Sequence, residues 1–74
     1  MGIEEVVAQV NAHIDSLTPD EFARAFINAS NESRFIMQAR LPTYDQERKG
    51  EIKRRSDYYS SPEGSARLAL DSDS

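Results

Sequence analysis

The apolar residues near the N-terminal end recur at the spacing of an α-helix, in steps of four, three, four and three positions. They are Ile3, Val7, Val10, Ile14 and Leu17. This spacing places them along one side of a helix over about residues 3–16. Because the β-branched residues of this stripe are weak helix formers, the helix must be stabilised by packing. We therefore predict a helix that needs a second surface to lie on.

The stretch LTPDEF predicts the start of a second helix immediately afterwards. Thr18 is placed as the N-cap, Pro19 as the first helical residue, and Glu21 as the residue that completes a capping box. The first and last residues of the stretch are apolar and are spaced for a hydrophobic staple. The second helix is predicted over about residues 19–29.

Serine and asparagine residues in NASNES, residues 28–33, favour a break after the second helix. Their short polar side chains compete with helical backbone hydrogen bonds. One continuous helix through this stretch is the alternative. With the break, a third helix is predicted over about residues 32–41, and Pro42 ends it. Its candidate core residues are Phe35, Ile36, Met37 and Ala39.

A fourth helix, over about residues 44–58, is predicted to be weaker and highly charged. The stretch TYDQ, residues 43–46, has the spacing of a capping box. The segment has few large apolar residues, and Gly50 costs about 1 kcal/mol relative to Ala in a helix interior. We expect this helix to be mobile unless it docks on the others.

The last segment, residues 60–74, is rich in Ser and Asp and is predicted to be a disordered tail. Within it, Leu68 and Leu70 belong to the stretch ARLAL, which could become ordered on a partner or rest on the bundle as a short helix. The predicted fold class is therefore all-α. A single small domain over residues 1–59 contains the three-helix unit and the weaker fourth helix.

Composition limits the classes of protein to consider. The 74 residues include no cysteine and carry a formal net charge of -4. A disulfide framework and a thiolate metal site are thereby excluded. No stretch approaches the roughly 20 apolar residues of a membrane helix, and a basic signal-peptide start is lacking. We expect a soluble, cytoplasmic protein that does not bind a membrane.

Catalytic chemistry has little support in the sequence. His13 is the only histidine, and it flanks the apolar stripe as a boundary residue would. No glycine-rich phosphate loop, nucleophile-base set or calcium loop is present. We therefore expect no enzymatic activity, no cofactor and no metal.

The stretch RKGEIKRR, residues 48–55, contains five of the nine basic residues of the chain. These are Arg48, Lys49, Lys53, Arg54 and Arg55. Because four acidic residues are interleaved between residues 42 and 59, the local net charge is only +1. A solvated, ion-paired helix face explains this pattern most simply. The adjacent Tyr58 and Tyr59 leave two other interpretations open, namely nucleic-acid binding and docking of an acidic protein.

The functional hypothesis from these features is a small, non-catalytic protein that binds another protein. The specific form we consider is a phage-type inhibitor or regulator that binds a larger host complex, such as RNA polymerase or a defence complex. Self-association would also cover the apolar stripe. The alternative is a nucleic-acid-binding module that uses residues 44–59. The candidate partner-binding residues are Ile3, Val7, Val10, Ile14, Arg48, Lys49, Lys53, Arg54, Arg55, Tyr58 and Tyr59.

Overall fold

The computed structural model describes residues 2–72, and these residues form five α-helices without a strand, which confirms the all-α class. The helices are α1 (Ile3–Asp15), α2 (Pro19–Asn28), α3 (Asn31–Arg40), α4 (Gln46–Ser60) and α5 (Pro62–Ser72). A 3-10 turn, Leu41–Thr43, connects α3 to α4. None of the described helices has the length and apolar character needed to cross a membrane.

The predicted start of α2 and the predicted break before α3 are both confirmed. The backbone N–H of Glu21 donates to Thr18 Oγ1 at 3.1 Å, and the backbone N–H of Thr18 donates to Glu21 Oε1 at 2.9 Å, so both halves of the capping box are present. Ser30 is the N-cap of α3, and its Oγ accepts from the backbone N–H of Ser33 at 3.3 Å. Helices α2 and α3 are therefore separate.

Helix α4 differs from its prediction at its N-terminal end. The N-cap is Asp45, whose Oδ1 accepts from the backbone N–H of Arg48 at 2.7 Å. Thr43, which the spacing suggested, instead donates its hydroxyl to the carbonyl oxygen of Arg40 at 2.6 Å. The reason is that residues 41–43 continue from α3 as a 3-10 turn, so the chain becomes extended only at Tyr44 and Asp45.

The prediction of a disordered tail is wrong for residues 60–72, because α5 occupies most of them. Ser61 has extended backbone geometry, its Oγ accepts from the backbone N–H of Gly64 at 3.1 Å, and Pro62 is the first helical residue. These are the features that start a helix. Leu68 is buried against Ala23 of α2 and Tyr59 of α4. Residues 73 and 74, which the prediction also included, lie outside the described residues.

Close backbone approach fixes how α5 meets α4. A Cβ atom placed on Gly64 would lie 1.8 Å from the carbonyl oxygen of Tyr58 and 2.9 Å from the Cα of Tyr59. Any side chain at this position would force the two helices apart. Glycine is therefore required for the observed α4–α5 packing.

The core is built around α4, which packs most extensively on α2 and next on α5. One buried cluster consists of Ile14, Phe22, Met37 and Ile52, and a second consists of Ala23, Tyr59 and Leu68. The expected core role of α3 is confirmed for Met37 only. Phe35 is 75% exposed, and Ile36, which lies beside Val10 of α1, is also exposed.

Candidate interaction surfaces

The first candidate surface is the apolar side of α1, which the rest of the chain leaves largely uncovered. Its exposed members, named here the α1 ridge, are Ile3, Val6, Val7 and Val10. Ile3 is 83% exposed and Val7 is 48% exposed. Of the predicted stripe, only its C-terminal end packs inward, with Ile14 buried in the core and Leu17 packed against it.

The ridge is exposed because α1 is held at its C-terminal end. The guanidinium of Arg48 donates to the carbonyl oxygens of Asp15 and Leu17, both at 3.0 Å, and lies 3.9 Å from the centre of the Tyr44 ring. Arg40 Nε donates to the Asp15 carboxylate at 3.1 Å, and the Tyr44 hydroxyl donates to it at 2.7 Å. We call these four side chains, of Asp15, Arg40, Tyr44 and Arg48, the α1 clamp.

Two features set the strength of the α1 clamp. Hydrogen bonds from Arg40 and Tyr44 lower the pKa of Asp15, so its carboxylate stays charged. The Nε–H of Arg48 is buried and has no hydrogen-bond acceptor among the described residues, which reduces the stabilisation that this arginine provides.

Helix α3 extends the apolar surface beside the ridge. Ile36 lines a shallow groove of about 180 Å³ together with Val6, Val7 and Val10. This groove is almost entirely apolar in its lining side chains, with Asn11 as the polar exception. A continuous apolar surface on two helices is therefore open to solvent.

The second candidate surface involves the basic stretch of α4, whose five basic side chains point in three directions. Arg48 points inward to the α1 clamp. Lys49 and Lys53 line a groove on one side of α4, next to Phe22 and Phe26. The remaining two, Arg54 and Arg55, line a cleft on the other side.

That cleft, named here the arginine cleft, brings together four guanidinium groups from three helices. Its lining residues are Asp20, Arg24, Glu51, Arg54, Arg55, Tyr58, Tyr59 and Arg67, around a volume of about 600 Å³. Two of the four arginines, Arg24 and Arg67, were not among the residues predicted from the sequence, because α2 and α5 become neighbours of α4 only in the folded chain.

A hydrogen-bonded network forms the floor of the cleft. Arg24 donates to Asp20 and to Asp71, both at 2.8 Å, and its guanidinium lies 5.0 Å from the centre of the Tyr59 ring. The Tyr59 hydroxyl donates to Asp20 at 2.6 Å. Burial alone would raise the pKa of Asp20, but the hydrogen bonds from Tyr59 and Arg24 outweigh it and hold this pKa below its ordinary value. Burial and the Asp20 carboxylate together raise the pKa of Tyr59.

The rim of the cleft is more exposed than its floor. Arg54 donates to Glu51 at 2.6 Å, and this hydrogen bond lowers the pKa of Glu51. Arg55 lies 3.5 Å from Asp20 and 3.9 Å from Glu51. On α5, Arg67 lies 3.5 Å from Asp71, and its side chain is 66% exposed.

The structure therefore separates the predicted partner-binding residues into accessible and internal ones. Those with exposed side chains are Ile3, Val7, Val10, Lys53, Arg54, Arg55 and Tyr58, with Lys49 partly exposed. The prediction needs correction for three others. Ile14 and Tyr59 are buried in the two core clusters, and Arg48 is turned inward by the carbonyl groups at the end of α1. Tyr59 at 3% exposure has no face open for stacking on a base.

The described residues hold no group of histidine, cysteine and acidic side chains that could bind a metal ion. In comparisons with known proteins, no family model matches the chain, and neither a curated protein nor a solved structure shows detectable similarity to it.

Proposed function

We propose that this protein is a non-catalytic interaction protein that binds another protein by laying α1 into an apolar groove. The single observation that carries the proposal is the exposure of the α1 ridge. Its four residues occupy positions i, i+3, i+4 and i+7 of one helix. This is the pattern by which an amphipathic helix anchors itself in the groove of a partner.

The size of the exposed apolar surface supports the same role. The ridge continues into the groove beside Ile36, and contiguous apolar patches on small proteins mark interaction sites. The α1 clamp holds the helix at its C-terminal end, and the ridge beside α3 stays accessible to a partner. Such a helix can enter a groove without rearrangement of the core.

The charges on α1 indicate what kind of groove would fit. Helix α1 contains Glu4, Glu5 and Asp15 and no Lys or Arg. Two copies packed ridge to ridge would bring acidic residues together without basic partners for them, and like charges across an interface disfavour association. The occupant we propose is therefore a different protein, whose apolar groove is bordered by Lys or Arg. Occupation of such a groove on a larger complex would make this protein an inhibitor or regulator of it.

Nucleic-acid binding by residues 44–59 has weaker support. The five basic side chains of this stretch point in three directions, and a nucleic-acid backbone needs several cations along one track. The carboxylates between them reduce the local positive charge further. Nucleic-acid binding is therefore the alternative that experiments on the basic stretch must distinguish from protein binding.

Site-specific photo-crosslinking in the cells that produce the protein tests the proposal. A photoreactive residue at position 7 lies on the ridge, and one at position 8 lies on the exposed adjacent side of α1 and is the matched control. We expect position 7 to crosslink to one defined protein, with RNA polymerase and defence complexes as the first candidates to examine, and position 8 to crosslink weakly. Equal crosslinking at both positions would contradict the proposal. A crosslink to a second copy, supported by a dimer mass in light scattering, would replace the proposed partner with self-association.

A further inference from the structure

We propose that the arginine cleft is a second binding site that takes an acidic peptide segment, held by its Asp and Glu carboxylates. This inference rests on the proposed role in protein binding, but it concerns the side of the molecule formed by α2, α4 and α5. The α1 ridge takes no part in it.

The first observation is that the rim guanidiniums retain unused hydrogen-bond donors. A guanidinium carries five N–H donors in a planar fork. Arg54 uses one of them on Glu51. Arg55 and Arg67 make ion pairs of 3.5 Å or longer, and neither donates a hydrogen bond to any residue between 2 and 72. These three groups therefore present free donors toward the cleft.

The second observation is that the floor beneath them is already fixed. Arg24 is hydrogen-bonded to two carboxylates and lies over Tyr59, while Tyr59 is anchored to Asp20. These contacts order the floor side chains, and the two carboxylates of the floor also pair with Arg55 and Arg67 of the rim. A ligand would have to order only the rim side chains, so less conformational entropy is lost on binding.

The third observation is the aromatic residue at the edge. Tyr58 is 40% exposed, and its ring packs edge-to-face on Tyr59 with the centroids 5.2 Å apart. Tyr and Arg, together with Trp, are enriched among the residues that dominate the binding energy of protein interfaces. Tyr58 can cover the apolar part of a peptide while Arg54 and Arg55 bind its carboxylates.

Carboxylates fit this cleft better than a nucleic-acid backbone does. Guanidinium groups bind carboxylates through paired, planar hydrogen bonds, and Arg54 already donates one hydrogen bond to the carboxylate of Glu51. Nucleic-acid binding depends on accumulated positive charge. In the cleft, Asp20, Glu51 and Asp71 offset three of the four arginines, and the whole chain carries a net charge of -4.

A nuclear magnetic resonance titration of the ¹⁵N-labelled full chain tests this inference. The probe is a short, blocked, glutamate-rich peptide, with a glutamine-rich peptide of equal length and a single-stranded oligothymidine as comparisons. We expect saturable shifts of the Nε–H signals of Arg54, Arg55 and Arg67 and of the Tyr58 amide with the glutamate peptide. The glutamine peptide should leave them unchanged.

A pair of double variants separates a specific site from general charge attraction. Arg54→Gln with Arg67→Gln removes two rim guanidiniums, and Lys49→Gln with Lys53→Gln removes the same charge on the opposite side of α4. The arginine pair should weaken peptide binding at least about tenfold. The lysine pair should change it by less than about twofold, as expected for screened surface charges.

Three outcomes would overturn the inference: no shifts in the cleft, equal weakening by both double variants, or tighter binding of oligothymidine than of the peptide. The last would establish nucleic-acid binding instead. Val7→Glu, which alters the α1 ridge alone, should bind the peptide as the unmodified chain does. Peptide binding by the arginine cleft is thereby tested independently of partner binding by the α1 ridge.

Discussion

Helix α1 lies at the edge of the bundle and α4 lies at its centre, although α1 has the more apolar sequence. Among the Ile and Val residues of α1, only Ile14 is buried. In α4, which is mostly charged, both Ile52 and Tyr59 are buried at 3% exposure. The comparison shows that burial here follows the position of neighbouring helices and the arrangement of polar contacts, and that apolar content alone does not decide it.

The central position of α4 depends on polar groups that find partners. Its inward face carries Arg48 as well as Ile52. The guanidinium of Arg48 is tolerated there because it donates hydrogen bonds to the carbonyl groups at the end of α1. The hydroxyl of Tyr59 likewise reaches Asp20. Polar side chains that are hydrogen-bonded can be buried at small cost. Helix α1 has no such contacts along the ridge.

Truncating one isoleucine in each helix gives the largest expected contrast. Ile52→Ala should lower the free energy of unfolding by about 2–5 kcal/mol, because it leaves a cavity in the core. Ile3→Ala should change it by less than about 0.5 kcal/mol, since Ile3 is almost fully exposed. Urea denaturation followed by circular dichroism measures both.

If Ile52→Ala does not fold, Ile52→Val provides the measurement, with an expected loss of about 0.5–1.5 kcal/mol. Similar losses for Ile3→Ala and Ile52→Ala would contradict the comparison, because they would mean that the α1 ridge is enclosed in the isolated protein.

The two interior glycines sharpen the comparison by giving effects of opposite sign. Gly64→Ala should destabilise the protein by about 1–3 kcal/mol, because the added methyl group meets the backbone of Tyr58. Gly50→Ala, in the middle of α4, should stabilise it by about 0.5–1 kcal/mol. The nearest atom to a Cβ there is the flexible Arg54 Nη1, at 3.4 Å. Thermal and urea unfolding of both variants measure the difference.

Gly50→Ala is also the control for the general effect of replacing glycine in a helix. A Gly64→Ala variant as stable as the unmodified chain would show that α5 does not pack against α4 at this distance. The arginine cleft, which needs Arg67 on α5, would then lose its third wall.

Local signals in the sequence predicted the starts of α2 and α3, because a side-chain cap joins residues only three apart. Thr18 and Ser30 are examples, and both cap as their side-chain chemistry suggests. Ser61 and Pro62 repeat the signal of Thr18 and Pro19, and α5 was therefore predictable from the same rule. The Ser-rich composition around it pointed the other way.

Packing between helices was not predictable in the same manner. No motif around Gly64 indicates that a Cβ atom added there would lie 1.8 Å from the carbonyl oxygen of Tyr58. Arg24 and Arg67 likewise belong to one cleft only because α5 returns along α4. The division of the basic stretch, by contrast, follows from helical spacing: Lys49 and Lys53 are four residues apart and share one side of α4, while Arg54 is turned by about 100°.

The α1 clamp gives the smallest expected effect, and it is a dependence on pH. Arg40 and Tyr44 lower the pKa of Asp15 below its ordinary value of 3.8. A carboxylate with a lowered pKa in the folded state stabilises that state above its ordinary pKa, and the contribution is lost as the pH falls through the lowered value. Asp15→Asn removes this contribution. The stability difference between the unmodified chain and Asp15→Asn should be largest near neutral pH and should shrink below about pH 4.

Urea denaturation from neutral pH to about pH 2.5 measures this difference, and hydrogen exchange of the amides near Ile14 assigns it to α1. The carboxyl groups of Asp20, Glu21 and Glu51 also have lowered pKa values, so the stability of every variant falls in acid. Only the difference between the two proteins reports Asp15. Asp57→Asn, which removes an equal charge from the exposed pair with Lys53, is the control. A stability difference that stays constant across the whole pH range would show that Ile14 and Leu17 alone attach α1 to the core. The C-terminal end of α1 would then lack a polar anchor, as its exposed N-terminal end does.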